Sequence, residues 1–157
     1  MNPLKSIPMT VGLGFVLAIL ISMYYQHGDP ANAIWALATW LHVFFGIVWI
    51  GLLYYFNFVQ VPGVAAALAD KDGPGPSAIN KYIAPSALFY FRWAALLTVI
   101  SGLILAYLNG YLHDAMTLGG GGKSTAIGIG MWLGLYMAFN VWFIIWPNQK
   151  RALGMVE

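Results

Sequence analysis

Met137-Ala138-Phe139-Asn140-Val141-Trp142-Phe143-Ile144-Ile145-Trp146-Pro147-Asn148-Gln149-Lys150-Arg151 is an apolar run with one amide inside it, closed by a proline and two cations. Hydrocarbon on every side of a helix leaves no face for water, so the run reads as the end of a membrane span. Pro147, Lys150 and Arg151 mark where that helix stops and the chain leaves the bilayer. The whole chain agrees: 157 residues, 61% hydrophobic, 16% aromatic and 8% charged, too little polar surface for a water-soluble globule. Seven Lys/Arg against five Asp/Glu give a net charge of +2, with no basic stripe, which excludes nucleic acid as a partner. The absence of cysteine excludes disulfides, thiolate metal sites, iron-sulfur clusters and covalently attached haem c. Any cofactor is left to His, Met, Tyr, carboxylates or amides.

Four runs are long enough for a ~30 Å hydrocarbon core: residues 7–25, 33–59, 87–112 and 126–146. Only helices satisfy their backbone groups in lipid, so the spacing predicts one all-α domain over residues 1–157, an integral-membrane four-helix bundle. Lys5 before the first run and Ala31-Asn32-Ala33 after it resemble a cleavable signal, but Met1 is retained and the run reads as an uncleaved first span. Lys5, Lys71, Lys81, Lys150 and Arg151 fall on one side and only Lys123 on the other, which puts both termini in the cytoplasm. The loops at Ala31 to Trp35 and Leu118 to Thr125 then face outward. Gly119 to Thr125 lacks the glycine a phosphate-binding loop needs at Thr117, and lacks a preceding strand; it reads as a flexible linker. The inner segment from Val61 to Pro85 is the only sizeable polar stretch and is too short for a second domain. Gly14, Ala18 and Ser22, and Gly130, Gly134 and Ala138, recur at four-residue spacing and predict close helix contacts.

Polar side chains at membrane depth each need a reason. On the second span His42, Gly46, Trp49, Leu53, Phe56 and Gln60 lie within about 40° of one line at 100° per residue, with Asn57 slightly off it. His42 is either a hydrogen-bonded structural group or a ligand to haem b, with Gly46 leaving room for a porphyrin edge or a neighbouring helix. At ~1.5 Å per residue His42 stands about 27 Å from the inner boundary, His27 about 30 Å and His113 nearer 39 Å, so His27 is the better second haem ligand. His42, His27 and His113, with Met23, Asp29, Asp114 and Met116 nearby, are also a conceivable copper set; His27 and His113 are equally at home as interfacial residues. Arg92 has no carboxylate at its depth. Asn57, Gln60 and Asn140 share its inner third, so an amide cluster around the guanidinium would suit an anion, a quinone carbonyl or a haem propionate. The competing reading is that Arg92 snorkels to lipid phosphate.

Trp40 to Gly51, Tyr54-Tyr55-Phe56, Phe91-Arg92-Trp93-Ala94 with Ser101-Gly102, and Met137 to Lys150 resemble the amino-terminal membrane region of membrane-bound urate hydroxylases. The likeness falls on spans two, three and four. It implies an association with redox chemistry at a membrane, since that family fuses a region of about eight spans to a cytochrome c domain. His42, Trp49, Arg92, Asn140 and Pro147-Asn148-Gln149 are the matching positions. The chain resembles a short form, with half the spans and no cytochrome c domain. Where the family has an acidic residue just past the tryptophan of span three, Ala94 and Ala95 stand here; near its histidine early in the last span stands Gly128.

These features point first to an accessory or electron-transfer subunit of a respiratory or photosynthetic complex in a bacterial inner membrane, with His42, His27 and Trp49 around haem b. It would meet other membrane subunits through its aromatic surfaces. The alternatives are a urate hydroxylase-type oxidoreductase that passes electrons to a separate cytochrome c, and a cofactor-free bundle that forms a homo-oligomer or binds lipid.

Overall fold

The computed structural model describes residues 5–25 and 29–154, and every regular element among them is helical. In chain order these are α1 (Ile7–Tyr25), α2 (Pro30–Tyr55), α3 (Val61–Ala69), α4 (Ala84–Leu108), α5 (Leu112–Met116), α6 (Gly122–Asn140) and α7 (Trp146–Ala152). π-helical turns at Phe56–Gln60 and Val141–Ile145 join α2 to α3 and α6 to α7, and a third at Ile79–Ile83 leads into α4. Four continuous helices are long and apolar enough to cross a membrane: Ile7–Tyr25, Pro30–Ala69, Ile79–Leu108 and Gly122–Ala152.

The first helix has the bounds its sequence predicts, whereas the other three run through prolines beyond their expected bounds, among them Pro147, which was expected to end the last. Pro62, Pro85 and Pro147 each stand two residues beyond a π-helical turn. Proline lacks an N–H, and its ring collides with the carbonyl four residues earlier, so a regular α-helix cannot run through it unchanged. Here Val61 N donates to Phe56 O, Ala84 N to Ile79 O and Trp146 N to Val141 O, each five residues back. The wider turn makes room for the proline and the helix continues. Pro147 therefore does not end the last span, which reaches Ala152. Pro30–Ala69 is 40 residues, about 60 Å at ~1.5 Å per residue, so its α3 end overruns a hydrocarbon core.

At the other end, α2 starts earlier than expected because Asp29-Pro30 is a strong initiator. The Asp29 carboxylate accepts from Ala31 N at 3.0 Å and from the Asn32 amide at 2.9 Å, and Pro30 occupies the first helical turn. The third span stops at Leu108, short of residue 112, where Gly110 takes φ 73° and α5 begins a new direction. The glycine run expected as a linker is a hydrogen-bonded turn: Gly119 N donates to Asp114 O at 2.8 Å, and Gly120, Gly121 and Gly122 all take positive φ.

Packing is serial. α1 leans on α2, α2 packs along α4, and α6 packs on α4 and α5, with no comparable contact between α1 and α6 among the described residues. α1 has no buried residue; Phe15 edges onto Trp40 and Phe44. The core lies where Trp49, Phe91, Ala94, Ala95, Ala138 and Val141 meet. Long apolar side chains on every helix remain exposed, among them Ile47, Tyr54, Phe58, Tyr107, Leu133 and Phe143. Such a surface is compatible with a lipid environment.

Candidate functional site

His42 projects from α2 against α4 because α4 offers a glycine at the point of contact. A Cβ on Gly102 would stand 2.8 Å from His42 Cε1, so any larger residue would displace the ring. The room beside the imidazole thus comes from Gly102 on the neighbouring helix, whereas Gly46 looks onto open space and Thr98. His42 Nδ1 is 2.9 Å from Thr98 O and 3.3 Å from Ser101 Oγ. A carbonyl can only accept, so the Nδ1 position carries the proton. Ser101 gives its own hydrogen to the Leu97 carbonyl at 2.6 Å, which leaves its oxygen free to accept as well. In the neutral ring Nε2 then holds a lone pair, and it has no hydrogen-bond partner among the described residues.

Beside the imidazole lies a cavity of about 560 Å³ between α2, α4 and α6. His42, Gly46 and Trp49 form one wall, Thr98 and Gly102 the floor, and Met131 and Met137 come from α6. Gly130 and Gly134, predicted to make a close helix contact, instead border this opening, and a Cβ on either would touch nothing. The tight approach of α6 occurs at Gly128, where a Cβ would overlap the Ala115 carbonyl. Trp49 is only 4% exposed, and its indole N–H has no acceptor. A buried donor without a partner is costly.

A neutral imidazole, its Nδ1–H held by a carbonyl and its Nε2 without a hydrogen-bond partner among the described residues, could serve as a ligand to a metal or haem iron. Met131 and Met137 also line the cavity and would be the thioethers available to such a group. His27 lies outside the described residues. His113 is exposed on α5 and is not part of the cavity lining, although Tyr111, two residues earlier, is. No three His, Asp or Glu side chains converge among the described residues.

Arg92 occupies a different setting from the amide cluster its sequence suggests. Its guanidinium carbon lies 3.7 Å from the Trp146 ring centre, 5.4 Å from that of Phe89 and 5.8 Å from that of Trp142. Trp142 Nε1 donates to the Arg92 carbonyl at 3.0 Å, which ties α4 to the π turn below α6. The Asn57 amide donates to Leu53 O of its own helix at 2.8 Å, and Gln60 Oε1 is buried without a partner. Asn140 is half-buried, and no hydrogen bond joins it, Asn57 or Gln60 to Arg92 among the described residues. Cross-helix partners were the part sequence reasoning missed: Thr98 and Gly102 for the histidine, Trp142 and Trp146 for the arginine, with Phe89 added from its own helix. The tryptophans preceding Pro147 were the available signal.

Comparison with protein-family models, with curated proteins and with solved structures finds no match for this chain. The likeness to urate hydroxylases rests on the residues quoted for it. Two of its divergent positions have a structural reason: Ala95 is 0% exposed in the helix core, and Gly128 has no space for any side chain.

Proposed function

We propose that this chain is an integral-membrane subunit of a redox assembly in a bacterial inner membrane, with both termini cytoplasmic and haem b seated beside His42. The observation that carries this reading is the Nδ1–H of His42 fixed on the Thr98 carbonyl, with Nε2 left as an unengaged lone pair at a cavity. When bound, the haem would supply one-electron transfer between partners. The Thr98 carbonyl holds the imidazole in one tautomer and raises its basicity as a ligand. Gly102 allows the ring to lie against α4, and Trp49 offers an N–H to an acceptor on the bound group. Apolar side chains such as Val99, Leu103 and Ile127 line the rest and keep water from the ring.

Urate hydroxylation with electrons passed to a separate cytochrome c is the weaker reading. Arg92, Asn57 and Asn140 would have to converge on a purine anion, yet Asn57 is turned onto its own helix. The protein, gently solubilised, should copurify with a larger respiratory or photosynthetic complex. Its reduced-minus-oxidised spectrum should show b-type bands that His42→Ala abolishes and His113→Ala leaves intact. A flat spectrum from protein produced with ample haem refutes the haem assignment.

A further inference from the structure

Arg92 has five N–H donors, and none is hydrogen-bonded or ion-paired among the described residues; Nη1 is buried outright. Lys150 approaches the same Trp146 ring, its Nζ 5.6 Å from the centre, so two cations share one indole near the inner ends of α4 and α7. The described acids on that side of the fold do not neutralise them. Asp70 caps its own turn, accepting from Asp72 N at 3.2 Å, and no described carboxylate makes a salt bridge to Arg92 or Lys150. A partly desolvated pair of cations calls for an anion, and a guanidinium fork matches phosphate oxygens.

A second feature identifies the rest of the ligand. An apolar groove of about 370 Å³ runs between α4 and α6, lined by Leu96, Val99, Leu135, Ala138, Phe139, Trp142 and Phe143. Trp142 belongs both to this groove and to the aromatic surround of Arg92. Phe139 and Phe143 stack at 4.7 Å along its rim and are exposed, presenting hydrocarbon rather than water-binding groups. A free phosphate would use the cations and leave the groove empty; a phosphate with an acyl chain fills both.

We infer that the inner ends of α4, α6 and α7 hold one anionic phospholipid, its phosphate on Arg92 and Lys150 and an acyl chain in the groove beside Trp142. This site rests on the membrane reading and not on haem. Two cations favour a headgroup with net negative charge over a zwitterionic one, and Trp146 lies at the level where tryptophan meets headgroups.

The test uses the full chain in detergent, titrated with chain-brominated phosphatidylglycerol or chain-brominated phosphatidylcholine while tryptophan emission is followed. Phosphatidylglycerol should bind more tightly. Arg92→Gln should weaken it about tenfold, close to the phosphatidylcholine value, and Lys150→Gln about threefold, part of the way there. Lys150→Gln lies on α7, outside the core, and keeps the test informative if Arg92→Gln fails to fold; circular dichroism checks both. Trp142→Phe should remove most of the quenching, because the bromines would lie against that ring. Equal affinity for the two lipids, or displacement by millimolar inorganic phosphate, overturns the assignment. If the wild type floats with neutral vesicles yet shows no headgroup preference, the lipid site fails and the membrane reading stands. Failure to float overturns both.

Discussion

His42 and Arg92 are both polar groups carried on long apolar helices, and the protein accommodates them in opposite ways. The imidazole is met by the backbone of the neighbouring helix, Thr98 O at 2.9 Å, and keeps one nitrogen free at a cavity. Among the described residues the guanidinium meets ring faces, Trp146 at 3.7 Å first, and no hydrogen-bond acceptor. One group is oriented and half-satisfied; the other is cushioned and unsatisfied. Orientation suits a ligand bound in one geometry, while an aromatic surround suits a mobile anion that supplies the missing acceptors itself.

The contrast can be broken most severely at Gly102. Gly102→Val puts a branched side chain where a Cβ already lies 2.8 Å from the His42 ring, and should cost about 2–3 kcal/mol in unfolding from mixed micelles together with the b-type bands. If the stability and spectrum survive, the histidine is not held as described. Next comes Arg92→Met, which should abolish the preference for anionic lipid and leave the spectrum unaltered. A spectral change there would show that the two sites are one.

Trp49→Phe sharpens the comparison because two terms oppose each other. Removing an indole N–H that has no acceptor among the described residues regains about 1 kcal/mol, but Phe leaves a void in the core, so protein stripped of cofactor should lose about 1–2 kcal/mol while cofactor retention weakens. Unchanged retention would mean that Trp49 contributes packing alone. The smallest effect is expected at Ser101→Ala, about 0.5 kcal/mol, because the Thr98 carbonyl remains the shorter of the two contacts to Nδ1.

The spans were legible because lipid imposes a length and an absence of charge, and α1 falls where its hydropathy puts it. His42 and Arg92 were legible as anomalies for the same reason. Their partners were not, because periodicity along α2 shows which residues share a face but not which turn of α4 that face meets. Gly102 is indistinguishable in sequence from the glycines at 46, 130 and 134, yet only Gly102 lies against the imidazole. The prolines misled in a related way. Pro147 read as a stop signal because a regular helix cannot admit it, and the π turn before it removes that conflict.

Each of those wide turns holds one residue more than a regular turn would, and so resets the rotational phase of everything beyond it. Excising a single residue from Val141–Ile145 would return that turn to regular α geometry and set the Pro147 ring against the carbonyl four residues before it, so the helix carrying Lys150 could no longer continue unchanged past Trp146. The aiming of the inner helix ends is thus written in the count of residues ahead of Pro147.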